Sequence, residues 1–254
     1  MHAWSSLADR TVYRLRRAVQ LIFLVVATLL TEWPAMAEEQ QMRFVVVRSN
    51  QAGCEPTCTE WISAEGAIGP KTPSLLKATL KAIGDRKLPL VLASSGGDMA
   101  AAMAIGRLVR KNKLSVAVGT TNFVGCQRDQ ENCTANDKRG AHYIGDAASY
   151  GECVRACTLV LASGVRRLAG EGTFVADAPM TAASLAETKR LVAYYGEMGV
   201  RYNALVEGDP GHWQLFKALL LTSTLPVGQV VDAEICRGTP APNNCRVFTT
   251  MDLE

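Results

Sequence analysis

The chain has 254 residues, with 27 lysines and arginines against 24 aspartates and glutamates. Residues 1–37 hold four of the basic and two of the acidic residues, so 23 basic and 22 acidic residues remain beyond them. This net charge of +1 gives no footprint of a nucleic acid or another polyanion as partner. A body of this length can bury a large core within one domain.

Residues 1–37 have the features of an export signal. Three arginines (Arg14, Arg16, Arg17) precede an uncharged apolar run at 18–30, and Ala35-Met36-Ala37 is a small-x-small cleavage site. The run is shorter than the about 20 residues that span a bilayer. We therefore predict a cleaved signal peptide at 1–37 and a single domain at 38–254 that is periplasmic or secreted. If the segment is not cleaved, it would anchor the exported body to the membrane.

The cysteines are even in number and all follow the predicted signal peptide: Cys54, Cys58, Cys126, Cys133, Cys153, Cys157, Cys236 and Cys245. In an exported protein this favours disulfides. Metal binding is the competing interpretation, but no pair has the C-x-x-C spacing of a zinc site, so we expect no metal.

Local bridges are predicted for Cys54–Cys58 and Cys236–Cys245, which flank proline-containing turns. If Cys153 and Cys157 lie on one helix, their Cβ directions are parallel. Each is then expected to pair with Cys126 or Cys133 rather than with the other, although all three pairings of these four cysteines remain open.

The first half of the mature chain alternates strands with helices. Apolar and β-branched runs predict strands at 44–48, 61–68, 88–93 and 114–118. Thr72 as N-cap and Pro73 at the first helical position predict a helix that ends at Gly84, and a second helix extends to about residue 111. This order predicts an α/β fold.

The second half begins with a long polar loop at 119–150, rich in Gly, Asn and Asp. The pattern then predicts a helix at 153–163, a strand at 173–176, helical spacing over 181–205, a short helix at 215–221 and a last strand at 229–235.

The stretch from Leu90 to Val109 joins a buried strand to a helix through Ser94-Ser95-Gly96-Gly97. Two adjacent glycines allow the backbone to approach a ligand with its N–H groups pointing outward. Such a turn can hold an oxyanion or a phosphate. A tight connection without any ligand is the alternative.

A second stretch, residues 151–168, reads GECVRACTLVLASGVRRL. Together the two stretches resemble the Clp protease and crotonase superfamily. In that superfamily a Ser-Pro-Gly-Gly turn opens one helix, and a second helix further along the chain carries the catalytic serine. The closer resemblance is to exported bacterial Clp-protease-like proteins whose second motif reads Cys-Ala-Ser-Ala-Cys. The resemblance covers roughly residues 44–235 and implies a spiral of repeated β-β-α units.

The resemblance also implies which residues form the site. The nucleophile position is Arg155, and a guanidinium cannot act as a nucleophile. The family's histidine position matches Asp177, and its aspartate position falls near 217–219, where no aspartate occurs. The two oxyanion donors match the N–H groups of Gly97 and Ala156. We therefore predict a degenerate, ligand-binding site at Gly96, Gly97, Asp98, Arg155, Ala156 and Asp177.

The resulting hypothesis is a non-catalytic binding or assembly module with an unknown protein or peptide partner and no cofactor. Arg155 and the N–H groups suit a carboxylate such as a peptide C-terminus. Alternatively, Arg155 forms a buried ion pair with Asp98 or Asp177. Members of the superfamily commonly form rings, so we expect a homo-oligomer.

The second hypothesis is a serine or threonine hydrolase with a displaced nucleophile, Ser95 or Thr158, and with His142 as the base. The flanking cysteines could attack only if reduced. Acyl-CoA chemistry of the crotonase type is not expected outside the cytoplasm.

Overall fold

The computed structural model describes residues 40–54, 58–128, 130, 143–148, 150–170, 172–176, 185–200 and 223–225. The helices are α1 (Thr72–Ile83), α2 (Met99–Lys111), α3 (Ala156–Ala162) and α4 (Leu185–Glu197). The strands are β1 (Arg43–Ser49), β2 (Glu60–Glu65), β3 (Leu90–Ala93), β4 (Val116–Val118), β5 (Thr120–Val124), β6 (Tyr143–Ala148), β7 (Gly151–Val154), β8 (Arg167–Gly170), β9 (Thr173–Ala176) and β10 (Ser223–Leu225).

Eight strands form one mixed sheet in the order β10-β8-β4-β3-β2-β1-β6-β5. The strands from β10 to β2 are parallel to one another, and β1 pairs antiparallel with β2. The strands β7 and β9 form a separate parallel pair. The predicted α/β class is confirmed, and β1, β2 and α1 follow one another in the predicted β-β-α order.

The main core lies between one face of this sheet and the helices. Alternate residues of β2 and β3, such as Ile62 and Leu90, point into it and are fully buried. The helices contribute one apolar face each, apart from α3, whose seven residues are all buried. The burial of α3 fixes the segment that begins directly after Arg155.

On the other face of the sheet, residues of β1, β2 and β3 pack against residues of β5 and β6, which form one end of the same sheet. A second apolar cluster there includes Val47, Trp61 and Val91, and the Trp61 indole N–H donates to Thr121 Oγ1 at 3.0 Å. The Thr121 N–H donates to the carboxylate of Glu65 at 2.8 Å. The prediction of one long loop at 119–150 is therefore wrong in part, because β5 and β6 pair antiparallel within it.

Other element boundaries also differ from the predictions. Thr72 is the first residue of α1 rather than its N-cap, and its hydroxyl accepts from the Gly69 N–H at 2.9 Å. The strand β8 was not predicted, and residues 151–154 are a strand instead of the start of a helix. The predicted elements at 215–221 and 229–235 lie outside the described residues. No helix within the described ranges is long and apolar enough to cross a membrane.

Helix α4 packs against α2 through Tyr194, which is fully buried. Its phenol donates to the Leu159 carbonyl at 2.8 Å, and burial raises the pKa of the phenol, which stays neutral. The ring approaches α2 at Gly106 so closely that a Cβ there would lie 1.7 Å from the phenol oxygen. Glycine at 106 is therefore required by packing.

We predict that Gly106→Ala lowers the free energy of unfolding by about 1–3 kcal/mol, because the added methyl group must displace Tyr194 from a filled site. Gly196→Ala in α4 is the matched control, since nothing lies within 4 Å of a Cβ at that helical position. The control should raise the free energy of unfolding by about 0.5–1 kcal/mol. Urea unfolding measures both, and an unaffected Gly106→Ala protein would contradict the contact.

Candidate ligand-binding site

The two motifs singled out in the sequence lie side by side. Ser94, directly after β3, forms a parallel bridge with Cys153 of β7. The Ser94 N–H donates to the Glu152 carbonyl at 2.8 Å, and the Val154 N–H donates to the Ser94 carbonyl at 3.1 Å. These bonds hold the end of β3 and the end of β7 in register, so the glycine turn and the start of α3 meet.

The glycine turn fits only because two side chains are missing. Gly96 and Gly97 have φ values of 110° and 130°, which L-residues with side chains rarely adopt. A Cβ at Gly96 would lie 2.9 Å from Arg155 Cβ and 3.3 Å from the Ala156 nitrogen. A Cβ at Gly97 would lie 2.1 Å from the Ile68 carbonyl oxygen. Both glycines are therefore required by close backbone approach.

Arg155 occupies a sharp turn between β7 and α3, with φ 54° and ψ −123°. Its N–H donates to the Ala176 carbonyl at 2.9 Å, and its carbonyl accepts from the Thr158 N–H at 3.0 Å. The residue is exposed, and no described carboxylate pairs with its guanidinium. This exposure contradicts a buried ion pair, and the Asp98 carboxylate accepts from Ala101 instead. Asp177, the other partner considered for Arg155, lies outside the described residues.

Asp98 caps a helix and does not pair with Arg155. It is the N-cap of α2, and its side-chain Oδ1 accepts from the Ala101 N–H at 2.7 Å. An N-cap carboxylate satisfies one of the unpaired N–H groups at the start of a helix. Asp98 thus lies beside the glycine turn, but its carboxylate stabilises the start of α2.

The two amides that the resemblance implies as oxyanion donors are those of Gly97, which is exposed, and Ala156, which is buried. No described acceptor receives a hydrogen bond from either N–H. The 3.3 Å spacing between the Ala156 nitrogen and a Cβ built at Gly96 places the second amide beside the glycine turn. The arrangement brings two amides and one exposed guanidinium to the same turn, and such donors suit an anionic oxygen.

The cysteines that flank Arg155 are bonded to each other, with a Cα–Cα distance of 5.2 Å. The prediction that each would reach Cys126 or Cys133 is wrong. It assumed that both cysteines lie on one helix, whereas Cys153 lies on β7 and Cys157 on α3. The turn at Arg155 folds one towards the other.

The Cys54–Cys58 bridge is confirmed. Cys126 is also in a disulfide, whose other cysteine lies outside the described residues. Cys133, Cys236 and Cys245 are outside them as well. Within the described part of the chain, no group of His, Cys, Asp and Glu residues could hold a metal ion.

The alternative nucleophiles have different environments. Thr158 is fully buried, and its hydroxyl donates to the Arg155 carbonyl at 2.8 Å and lies 3.1 Å from the Tyr195 hydroxyl. It is therefore not accessible to a substrate. Ser95 is partly exposed beside Gly96. His142 and Asp177 lie outside the described residues.

Tyr195 is the residue that sequence reasoning missed at this site. It supports Arg155 indirectly, because it contacts the threonine whose side chain holds the Arg155 carbonyl. The signal available in the sequence was the adjacent pair Tyr194-Tyr195 within a helical pattern. Spacing alone does not indicate which helix such a residue contacts.

Comparison with solved structures finds Clp-protease-like folds. The Clp protease catalytic domain from Plasmodium falciparum aligns with 64% of this chain and 82% of its own, with a TM-score of 0.42 and 13% identity. A membrane-bound stomatin-specific protease in complex with a substrate peptide aligns with 72% of this chain and 82% of its own, with a TM-score of 0.41 and 14% identity. No family model matches the sequence, and no curated protein matches it.

The two observed disulfides allow a matched test, because both join cysteines four residues apart. The chain-entropy loss is therefore equal, about 2 kcal/mol for each bridge. We predict that Cys153→Ala/Cys157→Ala lowers the free energy of unfolding by about 1–3 kcal/mol more than Cys54→Ala/Cys58→Ala, because both sulfurs of the first pair are fully buried.

Urea unfolding of the two double variants measures this difference. Peptide mapping under non-reducing conditions establishes the pairing independently. Equal destabilisation, or a Cys153 peptide linked to Cys126, would contradict the arrangement.

Proposed function

We propose that this protein is an exported, non-catalytic binding or assembly module with a Clp-protease/crotonase-type fold. Its degenerate site captures a carboxylate, such as the C-terminus of a peptide. The observation that carries the proposal is the exposed Arg155, which lies on a positive-φ turn in direct contact with Gly96 of the glycine turn.

The chemistry of the turn favours binding over catalysis. In the superfamily that the motifs resemble, the residue after the corresponding strand is the nucleophile, and here that position matches Arg155. An arginine is always protonated and carries five N–H donors in a planar fork that matches a carboxylate. The nearby amides of Gly97 and Ala156 add donors for the same anion.

None of the described residues is a histidine, the base that the resembled superfamily uses. Asp98 is engaged as the N-cap of α2. Binding of a carboxylate requires neither a base nor a nucleophile, which agrees with the donors described at this turn.

Export rests on the pattern of residues 1–37 and on the disulfides. Cys54–Cys58, Cys153–Cys157 and the bridge that holds Cys126 are compatible with an oxidising compartment. In this proposal the mature chain is a single periplasmic or secreted domain at 38–254, and it forms a homo-oligomer.

A peptidase-like hydrolase that uses Ser95 is the second candidate. The observation in its favour is that Ser95 is partly exposed and adjoins Gly96 of the glycine turn. This candidate requires a base from outside the described residues, for example His142.

We predict that short random-sequence peptides with a free C-terminus bind the protein, and that the same peptides with an amidated C-terminus bind at least about tenfold more weakly. Arg155→Ala should abolish this discrimination. Arg155→Lys should restore only part of it, because lysine cannot bind a carboxylate through two parallel N–H groups. Fluorescence polarisation of labelled peptides measures the affinities.

Arg86→Ala is the matched control, since Arg86 is an exposed arginine at the opposite end of β3. This control should keep the discrimination. Equal binding of free and amidated peptides by the wild type would contradict the proposal.

Arg155→Ser distinguishes the two candidates. We predict that this variant is not labelled by a fluorophosphonate probe, because a serine hydroxyl without a base is a weak nucleophile. Labelling of the wild-type protein that disappears in Ser95→Ala would instead support the hydrolase. Labelling of the new serine in Arg155→Ser would show that a base is present.

A further inference from the structure

The small net charge of the mature chain conceals an uneven distribution. Residues 71–113 hold nine lysines and arginines but only two acidic residues, Asp85 and Asp98. This segment alone therefore has a charge of +7, and the remainder of the mature chain is acidic on balance. The segment comprises α1, β3 and α2, so its charges have defined positions in the fold.

The basic residues gather at one edge of the sheet. In register, Leu90 of β3 is opposite Val116 of β4, which in turn is opposite Arg167 of β8. These three neighbouring parallel strands therefore begin at the same edge. Short connections join the ends of α1 and α2 to the starts of β3 and β4, so the last turns of both helices lie near this edge too.

We call five exposed cations at this edge the basic rim: Lys81, Arg86, Lys87, Lys111 and Lys113. Three further arginines, Arg110, Arg166 and Arg167, are partly buried. Arg110 and Arg167 donate to the carbonyls of Ala162 and Met198 and so hold the ends of α3 and α4. Among the described residues, three carboxylates lie near the rim: Asp85, Glu60, which pairs with Arg86, and Glu197, which pairs with Arg107 of α2.

The composition of the rim indicates the kind of partner. Interfaces between proteins are depleted in lysine and enriched in aromatic residues, whereas the rim is mostly lysine and includes no described aromatic residue. Recognition of single-stranded nucleic acids also relies on aromatic side chains that stack on bases. An extended layer of phosphate groups needs only exposed cations.

An exposed apolar side chain at this edge also favours a lipid surface as the partner. Val165, in the turn before β8, is an apolar side chain with 40% of its surface exposed. Its N–H donates to the Leu114 carbonyl at 2.9 Å, which ties it to the segment that carries Lys113. An apolar side chain among cations suits the boundary between lipid headgroups and acyl chains.

We propose that the basic rim binds the surface of a bilayer that contains anionic phospholipids. The strand β3 begins at this rim with Leu90 and ends at Ala93, beside the glycine turn. Because the two ends of the strand point in opposite directions, a protein bound by its rim presents Arg155 away from the lipid. The inference does not depend on what Arg155 binds.

Co-sedimentation of the purified full chain with vesicles tests the proposal. One set of vesicles contains phosphatidylglycerol and phosphatidylcholine, and the other contains phosphatidylcholine alone. The protein should bind the anionic vesicles preferentially. This preference should disappear at about 0.5 M salt, where the screening length falls to roughly 4 Å.

The rim variant is Lys87→Gln/Lys111→Gln, since both side chains are exposed. Loss of two cations should weaken binding to the anionic vesicles roughly 25-fold, about fivefold for each. The matched control is Lys71→Gln/Lys189→Gln, which removes the same charge from the N-cap of α1 and from the amino-terminal half of α4, away from the rim. The control should bind within about twofold of the wild type.

Equal binding to both sets of vesicles would overturn the proposal, as would equal losses in the rim and control variants. Binding of soluble polyphosphate or single-stranded DNA without binding to vesicles would assign the rim to a soluble polyanion and would also overturn it. Circular dichroism of each variant verifies that the fold is intact. Any attachment through residues 1–37 is common to all variants, so it cancels when the rim variant is compared with the control variant.

Discussion

The site depends on one close backbone contact, the approach of Gly96 to the turn at Arg155. A side chain at 96 would collide with Arg155 Cβ and with the Val154 carbonyl, both 2.9 Å from a Cβ built there. Since β3 is joined to β7 through Ser94 at this point, any residue larger than glycine would separate the two strands. The buried helix α3 starts one residue after the turn. The position of Arg155 is thus fixed from both sides.

The same contact explains how the chemistry of the turn can change without loss of the fold. The turn is held by the Arg155 N–H, which donates to Ala176, and by its carbonyl, which accepts from Thr158. None of these bonds uses the side chain at 155. The Cys153–Cys157 bridge adds a covalent restraint across the same residue. The scaffold therefore presents whatever side chain is placed there, and the charge and shape of that side chain decide what the site can bind.

The sequence predicts those parts of the fold that depend on local patterns. The strands β1, β2 and β3 and the helices α1 and α2 follow from apolar spacing, because each of them buries one regular face. The pairing of Cys153 was missed because it depends on one boundary. In a helix that starts at 153 the two Cβ atoms point in parallel directions, so the sulfurs do not meet. A strand that ends at 154 lets the turn at Arg155 bring the sulfurs together. The strand β5 was missed because it contains polar residues, and its packing on Trp61 depends on contacts distant in sequence.

The positions of the basic residues are also only partly explained by local sequence patterns. Basic residues near the ends of α1 and α2 have a local explanation, since cations stabilise the carboxyl end of a helix dipole. That explanation covers Lys81 and Lys111, which lie in the last turns. It does not cover Lys87, which lies in the connection between α1 and β3, nor Lys113, which follows the cap of α2 with a φ of 56°. Both lysines lie in the connections that lead from the helix ends to β3 and β4, where helix stability gives no reason for a cation. The proposed binding surface gives a reason for these two lysines, because each exposed cation adds to the attraction towards a layer of phosphate groups.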